Sequence, residues 1–324
     1  MIGCGTGHAA IRRMSGLWER SIMKLLHTVG KFLNKPEKAA WVLLFPSLFS
    51  LALFLFIPLV IAFGMSFFDA NIFLKDFTFI GFKNFQELFG DMRFWNTVKN
   101  TVYFTALVVP LGIAVSLAVA LYVEKNTLFR KALRSAFYIP VICSMTAMSI
   151  VWAILLDPTI GMFAYWAKMI GLENVKFLKD PDLAMPLIAL MTVWKTFGLN
   201  MIILVAGIQA IPDDYYEASR IDGANKIKQF IHITIPSIMP TFGFCVITST
   251  IGSFMVFDQT YVMTGGGPMF RTETLAQYVY LRGFSISPFR LGYASAIAEM
   301  LFIFVAVISM IMYRFFMENE RKGL

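Results

Sequence analysis

The chain has 324 residues, of which 58% are apolar and 15% are charged, and it carries a formal net charge of +8. Soluble domains average about 25% charged residues, so this composition excludes an ordinary soluble enzyme, a disordered chain and a disulfide scaffold. A bilayer admits only helices and closed barrels, and the apolar runs are long rather than short and alternating. We therefore expect an all-α membrane protein.

The first 38 residues are basic and contain apolar residues at helical spacing. This periodicity predicts an amphipathic helix on the inner membrane surface, with a poorly ordered tail as the alternative. We do not expect a secretory signal, because the basic region is too long and no small-residue cleavage site follows the first apolar run. The apolar residues of the predicted helix are Trp18, Ile22, Leu25, Leu26, Val29, Phe32 and Leu33.

Six apolar runs follow, each long enough to cross about 30 Å of hydrocarbon at about 1.5 Å per residue. They make residues 39–316 a transmembrane domain, between an N-terminal tail of residues 1–38 and a C-terminal tail of residues 317–324. The predicted spans are Ala39–Phe68, Trp95–Val123, Leu133–Leu156, Ala184–Ile211, Pro236–Met263 and Leu291–Phe316.

The distribution of Lys and Arg predicts the orientation. With both termini in the cytoplasm, and with basic residues in the first or last few positions of a span counted with the adjoining segment, the inner segments hold seventeen basic residues and the outer segments hold ten; Lys195 is the one basic residue deep inside a span. Basic residues concentrate on the cytoplasmic side of membrane proteins. The positive charge therefore indicates topology and contact with anionic lipid rather than nucleic-acid binding.

Catalytic and metal-binding motifs are missing from the sequence. It has no Gly-x-x-x-x-Gly-Lys-Ser/Thr loop for ATP and no His-Glu-x-x-His zinc helix. The three histidines, His8, His27 and His232, are scattered, and the odd number of cysteines implies no disulfide framework. An integral membrane enzyme is therefore an alternative without positive evidence.

The loop between spans four and five, residues 211–235, has the pattern of a structured element. Asp213 or Asp214 can cap a first helix, Gly223 suits the left-handed position that ends it, and a second helix leads to Pro236. A loop with this much predicted structure, rich in basic and aromatic residues, is suited to docking on a cytoplasmic partner.

The same loop carries a family resemblance. Glu217-Ala218-Ser219, then Gly223 and, after nine intervening residues, Ile233-Thr234-Ile235-Pro236 resemble the EAA motif of bacterial ABC importer permeases. Ser219 stands where the motif has a second Ala, and Ile235 stands where it has Leu.

Other stretches resemble the carbohydrate branch of that family, the membrane subunits of maltose, glycerol-phosphate and oligosaccharide importers. The resemblance covers residues 39–316. These stretches are Ile211-Pro212, Asp222-Gly223-Ala224, Thr264-Gly265-Gly266-Gly267-Pro268, Gly81-Phe82-Lys83-Asn84-Phe85, Trp194-Lys195 and Gly292-Tyr293-Ala294-Ser295-Ala296.

The resemblance implies the type I ABC importer permease fold, with six transmembrane helices in the bacterial inner membrane and a cytoplasmic coupling helix. It also implies a second homologous permease subunit, two ATPase subunits that bind ATP and Mg²⁺, and an extracytoplasmic sugar-binding protein. This chain itself would then need no cofactor. The residues expected to contact the ATPase are Glu217, Ala218, Ser219, Asp222 and Gly223. Glu217 would pair with an arginine or would be stabilised only by its helix dipole.

Three ionisable side chains, Lys195, Asp258 and Glu299, lie within the predicted spans. Because isolated charges in hydrocarbon cost about 2.5–3.5 kcal/mol on insertion scales, we expect these to line a polar path or to neutralise each other. At about 1.5 Å per residue, Lys195 and Glu299 lie roughly 16 and 12 Å below the outer end of their spans. They could therefore meet, with Asp258 as the alternative partner of Lys195 and the second permease as the alternative neighbour of Glu299.

In maltose-type relatives, the sugar contacts the helices just before and just after the coupling loop. The corresponding stretches here supply polar groups and flat aromatic faces that suit a sugar, although some of them can be ordinary interhelical hydrogen bonders. The candidate substrate-path residues are Lys195, Thr196, Asn200, Ser249, Ser253, Phe254 and Phe257. Lys195 would favour an acidic saccharide such as an oligouronate.

These predictions combine into one function, a subunit of an ATP-driven, binding-protein-dependent importer that forms half of the path for an oligosaccharide. A stand-alone secondary transporter or channel is the main alternative. Inverted repeats and half-broken helices would favour that alternative, but no clear repeat is visible in the sequence. Co-purification with an ATPase would favour the importer.

Overall fold

The computed structural model describes residues 36–71, 73, 77–172 and 175–322. Most of these residues are helical, which confirms the all-α fold class. The chain divides into two compact units, Met1–Ala62 and Phe63–Leu324. The amphipathic helix predicted around residues 18–33 lies outside the described residues.

One wide turn interrupts the first described helices. Helix α1 covers Pro36–Leu51, a π turn covers Ala52–Phe56, and α2 covers Ile57–Met65. Pro58 comes two positions after the π turn. A proline has no N–H to donate, and its ring crowds the carbonyl four residues earlier. The wider π turn before Pro58 makes room for the ring and removes the need for that hydrogen bond.

The second unit begins with a short antiparallel ladder and continues as helices. Strand β1 (Phe68–Asp69) pairs with β2 (Thr78–Phe79), with Phe68 opposite Phe79. The helices are α3 (Lys83–Gly90), α4 (Met92–Val123), α5 (Leu128–Ile142), α6 (Met145–Leu155), α7 (Met162–Met169), α8 (Ala184–Gln209), α9 (Asp213–Ile221), α10 (Lys226–Gln229), α11 (Ile235–Phe254), α12 (Asp258–Thr264), α13 (Leu275–Tyr280) and α14 (Leu291–Lys322). Two further π turns, Phe230–Thr234 and Leu281–Ser285, precede α11 and α14.

Among the described residues, five helices are long and apolar enough to span a membrane, and one bent pair of helices can form a sixth span. This number agrees with the six predicted spans. The five single spans are Leu43–Met65, Met92–Val123, Ala184–Gln209, Lys226–Phe254 and Leu291–Phe316.

The fifth span lies earlier in the chain than predicted. It covers Lys226–Phe254 rather than residues 236–263, because a π turn followed by Ile-Pro carries the coupling loop's second helix directly into α11. The helix ends where residues 255–257 leave the helical conformation. Asp258 then begins α12 with an exposed side chain, beyond the end of the fifth apolar helix.

The third predicted span, residues 133–156, is broken rather than continuous. Helices α5 and α6 form the bent pair, and their axes differ by 93°. Pro140 lies in the last turn of α5, and Cys143 and Ser144 between the helices are extended. Proline removes one backbone hydrogen bond, and the break leaves the last carbonyls of α5 without donors from their own helix.

The core of the second unit is built on α4 and α8, which pack along each other. Packing requires a glycine where α8 meets α5, because a Cβ at Gly198 would lie 2.3 Å from the carbonyl oxygen of Phe137. Ser116 of α4 donates a hydrogen bond to the carbonyl of Phe197 at 2.9 Å. Helix α11 packs against α4, α8 and α14, so the helix that leads out of the coupling loop is central to the bundle.

Candidate functional site

The predicted coupling loop is a pair of short helices, α9 and α10, joined by a tight turn. Helix α9 ends in a Schellman motif. In this motif the amide of Gly223 donates to the carbonyl of Arg220 at 3.1 Å, and the amide of Ala224 donates to that of Ser219 at 2.9 Å. Gly223 has a φ of +75°, which confirms the predicted left-handed position. Residues with a side chain disfavour this conformation, so the turn depends on glycine.

The start of α9 differs from the prediction. Pro212 occupies the N-cap position, and both Asp213 and Asp214 lie inside the first turn. The prediction that one of them caps the helix is therefore wrong, and their carboxylates stabilise the helix through its dipole instead. The second helix is capped by Asn225, whose side-chain oxygen accepts from the amide of Lys228 at 2.9 Å.

Side-chain hydrogen bonds fasten α9 to α10 and to the fifth span. Gln229 Nε2 donates to Ser219 Oγ at 2.8 Å and to the carbonyl oxygen of Tyr216 at 3.2 Å. The Tyr216 hydroxyl and Thr234 Oγ1 are 2.9 Å apart. Tyr216, Gln229 and Thr234 are not among the predicted site residues, although helical spacing places Tyr216 and Ser219 on one face of α9. These bonds hold the helix pair as one rigid body.

Four residues of the helix pair are exposed, and we call them together the coupling face: Glu217, Ala218, Ile221 and Ile227. Ile221 is 88% exposed and Ile227 is 68% exposed, and Glu217 and Ala218 are exposed as well. Within the described part of the chain, Glu217 has no hydrogen bond or ion pair. Isoleucines exposed to this degree on a polar helix pair are typical of a protein contact surface.

The coupling loop is attached to a hydrogen-bonded corner of the bundle. Arg134 of α5 donates to the carbonyls of Val123 and Glu124, each at 2.6 Å, where α4 ends. Gln209, the last residue of α8, also donates to the carbonyl of Glu124. Three helices therefore meet where the coupling loop begins, and a displacement of the loop acts on all of them.

Lys195 lies inside the bundle, beside the broken third span. The residue is only 7% exposed, and its Nζ donates a hydrogen bond of 3.3 Å to the carbonyl oxygen of Val141. Val141 is in the last turn of α5, so the ammonium group satisfies one of the carbonyls that the break leaves free. Among the described residues, no salt bridge joins Lys195 to Asp258 or Glu299.

Two predicted substrate-path residues meet across helices. Asn200 Nδ2 of α8 donates to Ser249 Oγ of α11 at 2.8 Å. Ser253 is buried one helical turn further along α11, so it continues this polar row. Thr196 instead donates to the carbonyl of Thr192 in its own helix at 2.8 Å. The structure therefore brings Asn200 and Ser249 together and leaves Thr196 bonded within α8.

The two predicted aromatic residues have different surroundings. Phe254 is buried, with 4% of its surface exposed. Phe257 is only half-buried, and its ring centroid lies 5.3 Å from that of Tyr261 and 5.2 Å from that of Tyr280. Neither tyrosine is among the predicted site residues, although Tyr261 follows Phe257 by about one helical turn; only the contact with Tyr280 joins segments that are distant in the sequence. The stacked rings offer a flat apolar surface at the end of the polar row.

Glu299 is half-buried on α14 and, within the described residues, has no hydrogen bond or salt bridge. Ile303 and Val307 follow it at intervals of four residues on the same helical face and are 47% and 51% exposed. The structure therefore does not bring Glu299 and Lys195 together as a pair. The described residues also offer no group of three or more His, Cys, Asp or Glu side chains that could hold a metal ion.

Asp91 connects the ends of several helices. Its carboxylate accepts hydrogen bonds from the hydroxyls of Tyr278 and Tyr293 and from the amide of Arg93. Partial burial by itself raises the pKa of Asp91, but these hydrogen bonds outweigh burial and hold that pKa below its usual value. Burial and the bond to Asp91 raise the pKa of Tyr278 to about 12. A carboxylate that stays ionised thus fixes α13 and α14 to the start of α4.

Comparison with known proteins gives consistent matches. Residues 109–321 match the family model described as "Binding-protein-dependent transport system inner membrane component". The chain is 33% identical over 294 residues to the probable ABC transporter permease protein YurN of Bacillus subtilis, a match that covers 89% of this chain and 99% of YurN. It is 34% identical over 224 residues to the sulfoquinovosyl glycerol transport system permease protein SmoG of Agrobacterium fabrum, covering 69% of this chain and 72% of SmoG.

A solved structure is similar as well. It is the crystal structure of a bacterial alginate ABC transporter in complex with an alginate pentasaccharide-bound periplasmic protein. The matching chain has a TM-score of 0.72 and 25% identity, and the match covers 89% of this chain and 96% of that chain.

Proposed function

Because this chain belongs to the family of binding-protein-dependent transport system inner membrane components, we propose that it is one of two permease subunits of an ATP-driven sugar importer. A second, homologous permease completes the translocation path. Two ATPase subunits bind ATP and Mg²⁺ on the cytoplasmic side, where both termini of this chain lie. An extracytoplasmic binding protein delivers the sugar, and this chain itself is a non-catalytic subunit.

The rigid helix pair and its exposed coupling face are the observation that carries this proposal. The coupling face docks in a cleft of the ATPase, with Glu217 paired to an arginine there and Ser219, Asp222 and Gly223 holding the shape of the turn. When ATP binding closes the ATPase dimer, the helix pair moves as a unit. The movement reaches α11 directly, and it reaches α4, α5 and α8 through the corner at Arg134, so the spans rock between inward-open and outward-open states.

We propose an oligosaccharide as the substrate. The polar row of Asn200, Ser249 and Ser253 offers hydrogen-bonding groups to sugar hydroxyls, and the relatives include the arabinooligosaccharides transport system permease protein AraP of Bacillus subtilis. Phe254 and Phe257 complete the proposed path with apolar surface. The buried ammonium group of Lys195 favours an acidic saccharide, such as an oligouronate, because an isolated cation inside the membrane is stabilised by an anion that passes it.

Cysteine labelling tests the proposed orientation. In a variant whose native cysteines are replaced by serine, Met269→Cys should react with a membrane-impermeant maleimide added to intact cells. In cells that lack the ATPase subunits, which would cover the coupling face, Ile221→Cys should react only after the membrane is permeabilised. The two sites are comparably exposed, at 82% and 88%, so accessibility within the chain does not bias the comparison. Labelling of Met269→Cys from the cytoplasmic side alone would overturn the orientation.

Ser219→Ala tests the bond between the two helices of the coupling loop. The change removes the hydrogen bond from Gln229, worth about 0.5–1.5 kcal/mol, together with the bond that Ser219 Oγ donates to the Tyr216 carbonyl within α9 at 2.9 Å. Gln229 keeps its own bond to that carbonyl. We therefore expect uptake to fall by about twofold to tenfold without loss of assembly. Ser237→Ala, at an exposed serine on α11, is the matched control and should leave uptake unchanged. An equal effect of the two changes would show that the bond to Gln229 is unimportant.

Reconstitution tests the function as a whole. The chain is produced with the second permease, the ATPase and the binding protein encoded alongside it, and ATP hydrolysis is measured in proteoliposomes. The importer requires co-purification with the ATPase and hydrolysis that rises with sugar-loaded binding protein. Sugar uptake by the chain alone, without ATPase, would instead indicate a stand-alone transporter or channel.

A further inference from the structure

A cavity of about 420 Å³ lies where the broken third span ends. It is bounded by the end of α6, by the segment before α8 and by the loop after α12. Its walls are mostly apolar and include Leu156, Leu178, Met263 and Pro268. The volume is in the range of ligand sites, and no member of the polar row described above lines it. The cavity is therefore separate from the proposed sugar path.

Two side chains of opposite charge, Asp157 and Lys179, line the same cavity. Asp157 Oδ1 accepts hydrogen bonds from the hydroxyl and the amide of Thr159 and from the amide of Ile160. These bonds hold the pKa of Asp157 below its usual value, and Lys179 is near enough for its charge to add to the effect. Within the described residues, Asp157 Oδ2 and Lys179 Nζ have no hydrogen bond or salt bridge. A fixed carboxylate and an ammonium group are therefore both available to a ligand.

Helix α7 lies beside the cavity and exposes aromatic side chains. The ring of Phe163 stacks on that of Trp152 of α6, with the centroids 5.7 Å apart, so α7 is fastened to the end of the broken span. Tyr165 and Trp166 are 64% and 50% exposed. Exposed Tyr and Trp residues mark the level at which the apolar core of a membrane meets water. A short helix with this composition is suited to lie in that interface.

Apolar surface continues along α6 to the cavity. Val151 and Ile154 are exposed in the last turns of α6, and Ala153 between them lines the cavity. Lipid that covers this face of α6 therefore reaches the cavity. An occupant that matches the cavity has an apolar body and carries one group of each charge at the level of the lipid headgroups.

We propose that the cavity binds a phospholipid whose headgroup carries a primary ammonium group, phosphatidylethanolamine. Its phosphate pairs with Lys179, its ammonium group donates to Asp157 Oδ2, and its glycerol and first acyl carbons lie against Leu156 and Met263. Phosphatidylcholine presents the same charges, but its ammonium group has no N–H to donate. The proposal goes beyond the proposed function and rests on it only for the side of the membrane on which the cavity opens.

The test uses the chain purified in detergent with the subunits that accompany it, and native mass spectrometry measures bound lipid. The wild-type protein should bind phosphatidylethanolamine about tenfold more tightly than phosphatidylcholine, the effect of one charge-assisted hydrogen bond. Asp157→Asn should lose this preference, because the amide oxygen still accepts from Thr159 and Ile160 while the Oδ2 acceptor is gone. Lys179→Gln should weaken binding of both lipids by about tenfold.

Lys176→Gln is the matched control, because Lys176 is an exposed lysine of the same segment that does not line the cavity. It should bind both lipids as the wild-type protein does. A wild-type protein without preference between the lipids, or an equal loss in Lys176→Gln and Lys179→Gln, would overturn the proposal.

Two further measurements identify the occupant. Soluble phosphoethanolamine should not displace the lipid; displacement would show that the cavity takes the free headgroup instead. A phosphatidylethanolamine with a diazirine on its acyl chain should crosslink to peptides that contain Leu156 or Met263. Crosslinks only elsewhere on the chain, or only to the second permease, would also overturn the proposal. None of these measurements involves ATP or sugar, so their failure leaves the proposed function standing.

Discussion

Replacing Gly223 with valine is expected to reduce ATP-driven uptake by about tenfold or more while the chain still inserts and assembles. A side chain in the left-handed conformation costs about 1–2 kcal/mol, and Gly223 has a φ of +75°. A Cβ there would meet no atom within 4 Å, so the effect comes from the backbone and not from a clash. The Schellman turn opens, and the helix pair no longer transmits the motion of the ATPase as one body.

The measurement compares uptake with ATP hydrolysis in the same proteoliposomes. For the Gly223 variant, hydrolysis should continue while uptake falls, because the fault lies in transmission. Gly90→Val is the matched control: Gly90 also has open space around its Cβ position, but its φ is not in the left-handed range. Normal uptake by the Gly223 variant would argue strongly against the coupling role of the loop.

Lys195→Met is expected to reduce uptake by about tenfold to a hundredfold. The change removes a hydrogen bond from a charged donor, a class worth about 1.5–3 kcal/mol, and leaves the Val141 carbonyl at the end of α5 without a partner. It also removes the cation that the proposed acidic substrate would pass. A second change, Glu299→Gln, should not restore uptake, because the structure contains no Lys195–Glu299 pair whose charge would need rebalancing.

The single variant Glu299→Gln is the control for this experiment and should transport nearly normally. Co-purification of the second permease shows whether each variant assembles. Recovery of uptake in the double variant would contradict the geometry described above and would support a structural ion pair. Loss without recovery supports a role of Lys195 in the path or at the broken third span.

Hydropathy predicted the second, fourth and sixth spans closely, because each is one uninterrupted apolar helix. It did not predict the break at Cys143 and Ser144, because the apolar run continues through the break and hydropathy carries no information on the direction of the helix axis. It placed the fifth span too late because Pro236 resembles a helix start, whereas the preceding π turn lets the helix run through it.

For the candidate site, local chemistry was predictable and side-chain partners were not. The left-handed position of Gly223 follows from its place at the end of a helix, and the structure confirms it. The bond between Ser219 and Gln229 depends on how α10 folds back on α9, which no local pattern specifies. Equal depth in the membrane suggested that Lys195 and Glu299 meet, but depth says nothing about the direction in which each side chain leaves its helix.

The continuity of the fifth span has a geometric consequence. The helix from Lys226 to Phe254 has 29 residues, which at about 1.5 Å per residue gives a rod roughly 43 Å long. If the end at Lys226 is the pivot, a tilt of about 5° moves the other end by about 4 Å, close to the diameter of one methyl group. Ser249 and Ser253 lie near that moving end, so the width of the passage beside them can change while every hydrogen bond within the helix stays intact.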